Sequence, residues 1–162
     1  MVDNQNTDAG PKVLALVAAH PDLFELGNHS YSHPDFTTLS VAQQTKELSD
    51  TEASIRRVTT VSSKPYFRPP FGAVNSTVLA TAGAAGYTHT IMWDIDTIDW
   101  RPEAEGGPTA ASMTQKVVSN AQGGSVVLMH LGGYNTFAAL PGMVSGLKAK
   151  GLTPVKVSAM LR

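Results

Sequence analysis

Short apolar runs alternate with helix-patterned segments along the whole chain, and this alternation narrows the fold more than any other feature. Strand candidates fall at Phe24–Leu26, Tyr66–Arg68, Tyr87–Trp93, residues 125–130 and Thr153–Val157. The run SVVLMH at 125–130 is the clearest: short, branched, apolar and bounded by turn residues. A helix over Pro11–Ala19 precedes the series, with Asp8 as a candidate cap and Pro11 suited to an early helical position. Strands separated by helices in this order predict parallel pairing through helical crossovers. An open doubly wound sheet and a barrel both satisfy the pattern.

The helix boundaries have local causes. Ser40 stands three residues before Gln43, a capping-box spacing, and opens a helix to about Val58. Asn75 caps a helix that ends near Ala85, with Gly86 as the stop. Thr109 opens another to about Ala121, followed by Gly123-Gly124. A helix over Ala139–Lys150 ends at Gly151, and a short terminal helix begins at Ser158. Residues 94–108 read as a long loop. With 162 residues, 42% of them hydrophobic, the chain has material for one core, and residues 1–162 are expected to form a single domain.

Composition removes several functions. The net charge of −1 gives no bulk attraction for nucleic acid or an anionic membrane. The chain has no cysteine, so disulfides and thiolate metal sites are excluded, and any metal relies on His, Asp, Glu and water. No apolar run reaches the length of a membrane span. The opening MVDNQNTDAGPK is polar and acidic, unlike a secretory signal peptide.

Sites in parallel α/β folds collect beyond the carboxyl ends of the strands. His29 and His33 follow the first strand candidate, and Arg68 ends the second. Asp94, Asp96, Asp99 and Trp100 follow the third, and His130 ends the fourth. HSYSH spaces two imidazoles four apart, a metal-compatible interval that a solvated loop can also show. FRPPFG sets an arginine before two rigid prolines, as a carboxylate-orienting guanidinium or an ordinary surface turn. WDIDTIDW is either a reactive acidic segment or a loop anchored by its tryptophans. His130 is either a general acid or base or a core histidine. His20, at a helix end, and His89, inside a strand, read as structural.

Together HSYSH, RPPFG, DTIDW and LMH resemble, in order and rough spacing, the motifs of the polysaccharide deacetylases of carbohydrate esterase family 4. The resemblance runs from about Pro21 to the C-terminus. It implies a distorted (β/α) barrel and metal-dependent removal of acetyl groups from chitin, peptidoglycan or acetylated xylan. On this resemblance His29 and His33 bind a divalent metal, commonly zinc. Arg68 holds the catalytic base, and the Phe71 backbone N–H helps bind the oxyanion. Asp99 pairs with His130, the general acid, while Trp100 and Leu128 shape the groove and the acetyl-methyl pocket. The metal polarises the carbonyl and activates water, and the imidazolium protonates the leaving nitrogen.

One departure stands out. The family's T-F-D-D-G segment supplies the base and a third metal ligand, and this sequence contains no Asp-Asp dipeptide. Leu131 also stands where many relatives carry Asp. The expectation is an α/β chain forming an incomplete distorted (β/α) barrel of parallel strands, lacking its first βα unit, from an N-terminally truncated deacetylase. Such a piece would be inactive, with an exposed strand edge and a partly uncovered core. The parent would act on polysaccharide outside the cell or in its envelope. One alternative is a non-catalytic short form that binds glycan or metal. Another is an enzyme in which Asp3 or Asp8 replaces the missing ligand.

Overall fold

A computed structural model describes residues 9–161, which group into two compact units divided between Met92 and Trp93. Asp3 and Asp8 lie outside the described residues.

The first unit contains helix α1 (Ala9–Ala19), helix α2 (Val41–Val58), strand β1 (Tyr66–Phe67), helix α3 (Ser76–Ala84) and strand β2 (His89–Thr90). Ser40 and Gln43 form the reciprocal capping box that starts α2. The Asn75 side chain accepts the Val78 N–H and starts α3. Strands β1 and β2 pair in parallel, Tyr66 with His89 and Phe67 with Thr90. The segment expected as a strand at Phe24–Leu26 forms no ladder. Its one parallel bridge is displaced to Asn28, which faces Phe67, while Leu23 and Phe24 donate backwards to the His20 carbonyl in a turn. The core gathers Leu48 from α2, Phe67 from β1, Val78 and Ala82 from α3, and Phe36 and Tyr87 from the connecting segments.

The second unit contains strand β3 (Ile95–Asp96), helix α4 (Ala110–Asn120), strand β4 (Val127–Leu128) and helix α5 (Thr136–Ala149). Thr109 caps α4 through the Ser112 N–H. Strand β3 pairs in parallel with β4, Ile95 with Val127 and Asp96 with Leu128. It lies inside the span expected as a loop. Only Ile95 among its residues is buried and apolar, so its membership depends on β4 rather than on its own pattern. No ladder forms at Thr153–Val157: Pro154 has no N–H to donate and Val155 is exposed. The terminal helix is a single tight turn at Val157–Ala159. The core joins Ile95, Met113, Val117, Ala121, Ala139 and Met143.

Two glycines let α5 lie close on α4. A Cβ at Gly142 would meet Thr114 at 3.1 Å, and one at Gly146 would overlap the Val118 side chain. Gly146→Leu should therefore destabilise the chain by about 2 kcal/mol through overpacking, seen as a lower thermal unfolding midpoint. An unchanged midpoint would contradict this close approach.

Candidate active site

In the first unit, the parallel bridge sets the first cluster. The Asn28 N–H donates to Tyr66 O at 2.8 Å, and the Arg68 N–H donates to Asn28 O at 2.9 Å. This places His29 beside Arg68, where its Nδ1 lies 2.6 Å from the Arg68 carbonyl oxygen. A carbonyl can only accept, so Nδ1 carries the proton and Nε2 keeps its lone pair. Burial lowers the pKa of His29 to about 4, with nearby His33 adding to the lowering and the hydrogen bond to Arg68 opposing it. The ring is neutral near pH 7, the form a metal needs.

His33 joins this cluster. The two imidazole centroids lie 5.0 Å apart, and His33 stacks edge-on against Phe71 at 4.7 Å. Glu47 of α2 clamps the residues between the imidazoles: its carboxylate accepts the N–H groups of Tyr31 and Ser32 at 2.8 and 2.7 Å and the Ser32 hydroxyl at 2.6 Å. Arg68 Nε donates to the Ile91 carbonyl oxygen at 3.0 Å, which fixes the guanidinium at the end of β2. Burial lowers the Arg68 pKa. His89 sits in β2 with its ring against Tyr66.

The loop is braced from behind by a polar chain that sequence reading missed. Asn28, fully buried, donates from Nδ2 to the Tyr87 hydroxyl at 2.7 Å and to the Leu48 carbonyl oxygen at 3.0 Å. The Tyr87 hydroxyl meets Ser63 Oγ at 3.1 Å, and Ser63 donates to Glu52 at 2.6 Å. Burial pushes Glu52 up, yet hydrogen bonds from Ser63 and Ser62 outweigh it and bring its pKa down to about 2.

In the second unit, Asp99 is fully buried. Its Oδ1 lies 2.7 Å from His130 Nδ1, and its Oδ2 accepts the His130 N–H at 2.7 Å and the Thr136 hydroxyl at 2.5 Å. Burial pushes Asp99 up, but the hydrogen bonds from Thr136 and His130 prevail and lower its pKa. The His130 side chain remains 42% exposed. Leu128, buried on β4, accepts the Thr97 hydroxyl through its carbonyl at 2.8 Å, and Trp100 is exposed. Asp94 is a fastener: it accepts the Ser125 hydroxyl at 2.7 Å and the Val126 N–H. Asp96 closes a local turn onto the Ile98 N–H.

The structure therefore joins His29, His33, Arg68 and Phe71 in one unit, and Asp99, His130, Trp100 and Leu128 in the other. Among the described residues, Ser30, His33, Phe71, Ile98 and Asn135 are the non-glycine residues with left-handed backbone. The first four lie in HSYSH, RPPFG and DTIDW, and Asn135 stands at the cap of α5. Such residues cost on the order of 1–3 kcal/mol each and cluster at functional sites. The two imidazoles fit a divalent metal in donor type, and His29 does so in protonation as well. Among the described residues, no group of three or more His, Cys, Asp or Glu side chains is placed to hold one.

A family model described as polysaccharide deacetylase matches residues 1–90, more than half of the chain. The chain belongs to the polysaccharide deacetylase family. It is 38% identical over 135 residues to a bifunctional xylanase/xylan deacetylase of Cellvibrio japonicus, covering 82% of this chain and 19% of that protein. It is 34% identical over 139 residues to a chitin deacetylase of Pestalotiopsis sp, covering 85% and 45%. A solved family 4 carbohydrate esterase from Bacillus anthracis, described as a pseudoenzyme, matches with TM-score 0.83 and 30% identity over 95% of this chain and 51% of that one. The chain thus spans from a fifth to about half the length of these relatives.

The ionised Glu52 makes stability acid-sensitive. Its folded pKa is about 2 against an ordinary 4.5, so its contribution is complete above 4.5 and fades as pH falls towards 2. The full contribution is on the order of 3 kcal/mol. Glu52→Gln should lower stability at pH 7 and flatten the stability-versus-pH curve between those values. Denaturant unfolding at several pH values checks this, and parallel curves for the two proteins would refute it.

Proposed function

We propose that this chain carries the metal-binding, arginine and proton-transfer parts of a metal-dependent polysaccharide deacetylase. The observation that carries the reading is the Asp99–His130 pair. A buried carboxylate holds His130 through Nδ1, which leaves Nε2 as the atom that gives up a proton. His29 and His33 would hold the divalent metal, with zinc suited to neutral imidazoles, and the metal would supply Lewis acidity to the acetyl carbonyl and lower the pKa of water.

The remaining steps fall to residues of the chain. The guanidinium of Arg68 orients the carboxylate that serves as general base. The Phe71 N–H donates to the oxygen on which negative charge develops. As the C–N bond breaks, His130 passes its Nε2 proton to the leaving nitrogen, and Asp99 stabilises the imidazolium until that transfer. The acetyl carbon keeps the oxygen from water and departs as acetate. Trp100 and Leu128 line the path of the sugar and the acetyl methyl. The substrate is an N-acetylated polysaccharide of chitin or peptidoglycan type, with acetylated xylan as the ester counterpart. The reaction is that of a single catalytic domain of distorted (β/α) barrel type acting outside the cell or in its envelope.

The general base is not among the residues assigned above. The 162 residues contain no Asp-Asp dipeptide, so catalysis belongs to a longer polypeptide that supplies one, and the present chain is inactive alone. A second reading has specific support: the Bacillus anthracis relative is described as a pseudoenzyme. In that reading the chain binds metal or glycan without turnover.

Isothermal titration with zinc, alongside acetate release from N-acetylglucosamine oligomers and acetylated xylan, tests these readings. The chain should bind zinc, His29→Ala and His33→Ala should each weaken binding by about tenfold or more, and acetate release should stay at background. No zinc binding by the unaltered chain would overturn the metal reading, and zinc-dependent acetate release would overturn the inactivity.

A further inference from the structure

Thr136 is the first residue of α5, one position past the cap. Its hydroxyl donates to Asp99 Oδ2 at 2.5 Å, across 37 residues of sequence. Asn135, at the cap position, makes no side-chain bond to the helix. Its Nδ2 reaches the Glu103 carboxylate at 2.6 Å and the Pro108 carbonyl oxygen at 3.1 Å, which fastens the start of α5 to the 103–108 loop. The Tyr134 N–H donates to the Asp99 carbonyl oxygen at 2.6 Å. The segment before α5 is thus stitched to the Asp99 loop by side chain and backbone together.

Gly133 supplies the complementary negative evidence. A Cβ there would fall on Asp99 Oδ2 and on the Thr136 hydroxyl. The space beside this carboxylate oxygen is taken by the Thr136 hydroxyl, and nothing larger than hydrogen fits at residue 133.

We propose that Thr136 is a positioning residue that, with the space left open at Gly133, locks the Asp99 carboxylate so that His130 is held as the Nδ1–H tautomer. Two donors, Thr136 and the His130 N–H, occupy Oδ2 and fix the rotation of the carboxylate. Oδ1 is then committed to His130 Nδ1. Loss of the Thr136 bond leaves Oδ2 with the His130 N–H, and the carboxylate plane gains freedom to turn. The imidazole would then sample both tautomers, and Nε2 would lose its defined role. The inference rests on the reading of Asp99 and His130 as the proton-transfer pair.

Long-range proton–nitrogen spectra of the 15N-labelled 162-residue chain test it. The His130 signals are identified by their absence in His130→Gln. The unaltered chain should show the Nδ1–H tautomer with a protected ring proton. Thr136→Val should mix the tautomers and speed exchange of that proton by roughly tenfold or more, as expected for a lost hydrogen bond to a charged group. Thr136→Ser should restore both. Thr136→Ala provides the same deletion with a smaller side chain should the valine variant fail to fold. Thr136→Val or Thr136→Ala, folded and with an unchanged tautomer and exchange rate, would overturn the inference. The spectra need neither metal nor turnover, so failure of the deacetylase reading in acetate release is told apart from failure here.

Discussion

A carboxylate removed from water must be met by donors, and in the second unit this requirement shapes everything around Asp99. Its oxygens take the His130 N–H, the His130 ring and the Thr136 hydroxyl. Two of these donors belong to His130, just beyond β4, and the third comes from the start of α5. Gly133 must lack a side chain, and Tyr134 must turn its N–H back to the Asp99 carbonyl. The close packing of α4 on α5 through Gly142 and Gly146 then holds the helix that carries Thr136. Core packing and proton chemistry meet at one helix start.

The first unit solves a similar problem with a neutral group. Asn28 is buried, and its amide is shared between Leu48, Tyr87 and the Ser30 N–H. The Tyr87 ring belongs to the apolar core, while its hydroxyl continues the polar chain to Ser63 and Glu52. Loop 28–33 is therefore held from below by this chain and from the side by Glu47. The two imidazoles are held in place by this framework.

Much of this was legible in the sequence where causes are local. Ser40, Asn75 and Thr109 start the helices expected of them, because a cap acts over three residues. The motif residues could also be found, because strand ends repeatedly carried titratable groups. Strand β3 could not, since two residues with one apolar side chain become a strand only by pairing with β4. Thr153–Val157 failed in the opposite way: its β-branched composition suggested a strand that Pro154 and exposure deny. Thr136, Gly133, Asn28 and Glu52 stayed hidden for a single reason. Each acts through at least one partner between 11 and 59 residues away, and neither periodicity nor motif spacing records such pairings.

The left-handed residues in three of the motif loops carry a consequence for recognition. Ser30, His33, Phe71 and Ile98 take backbone shapes that free peptides seldom visit, so the loops acquire their form when the chain folds. A ligand arriving later meets surfaces already arranged and forfeits little of its binding free energy to ordering them. Replacement of such a residue by glycine would ease the fold while loosening the loop. Affinity and stability would then move in opposite directions, a separation that ordinary core substitutions do not produce.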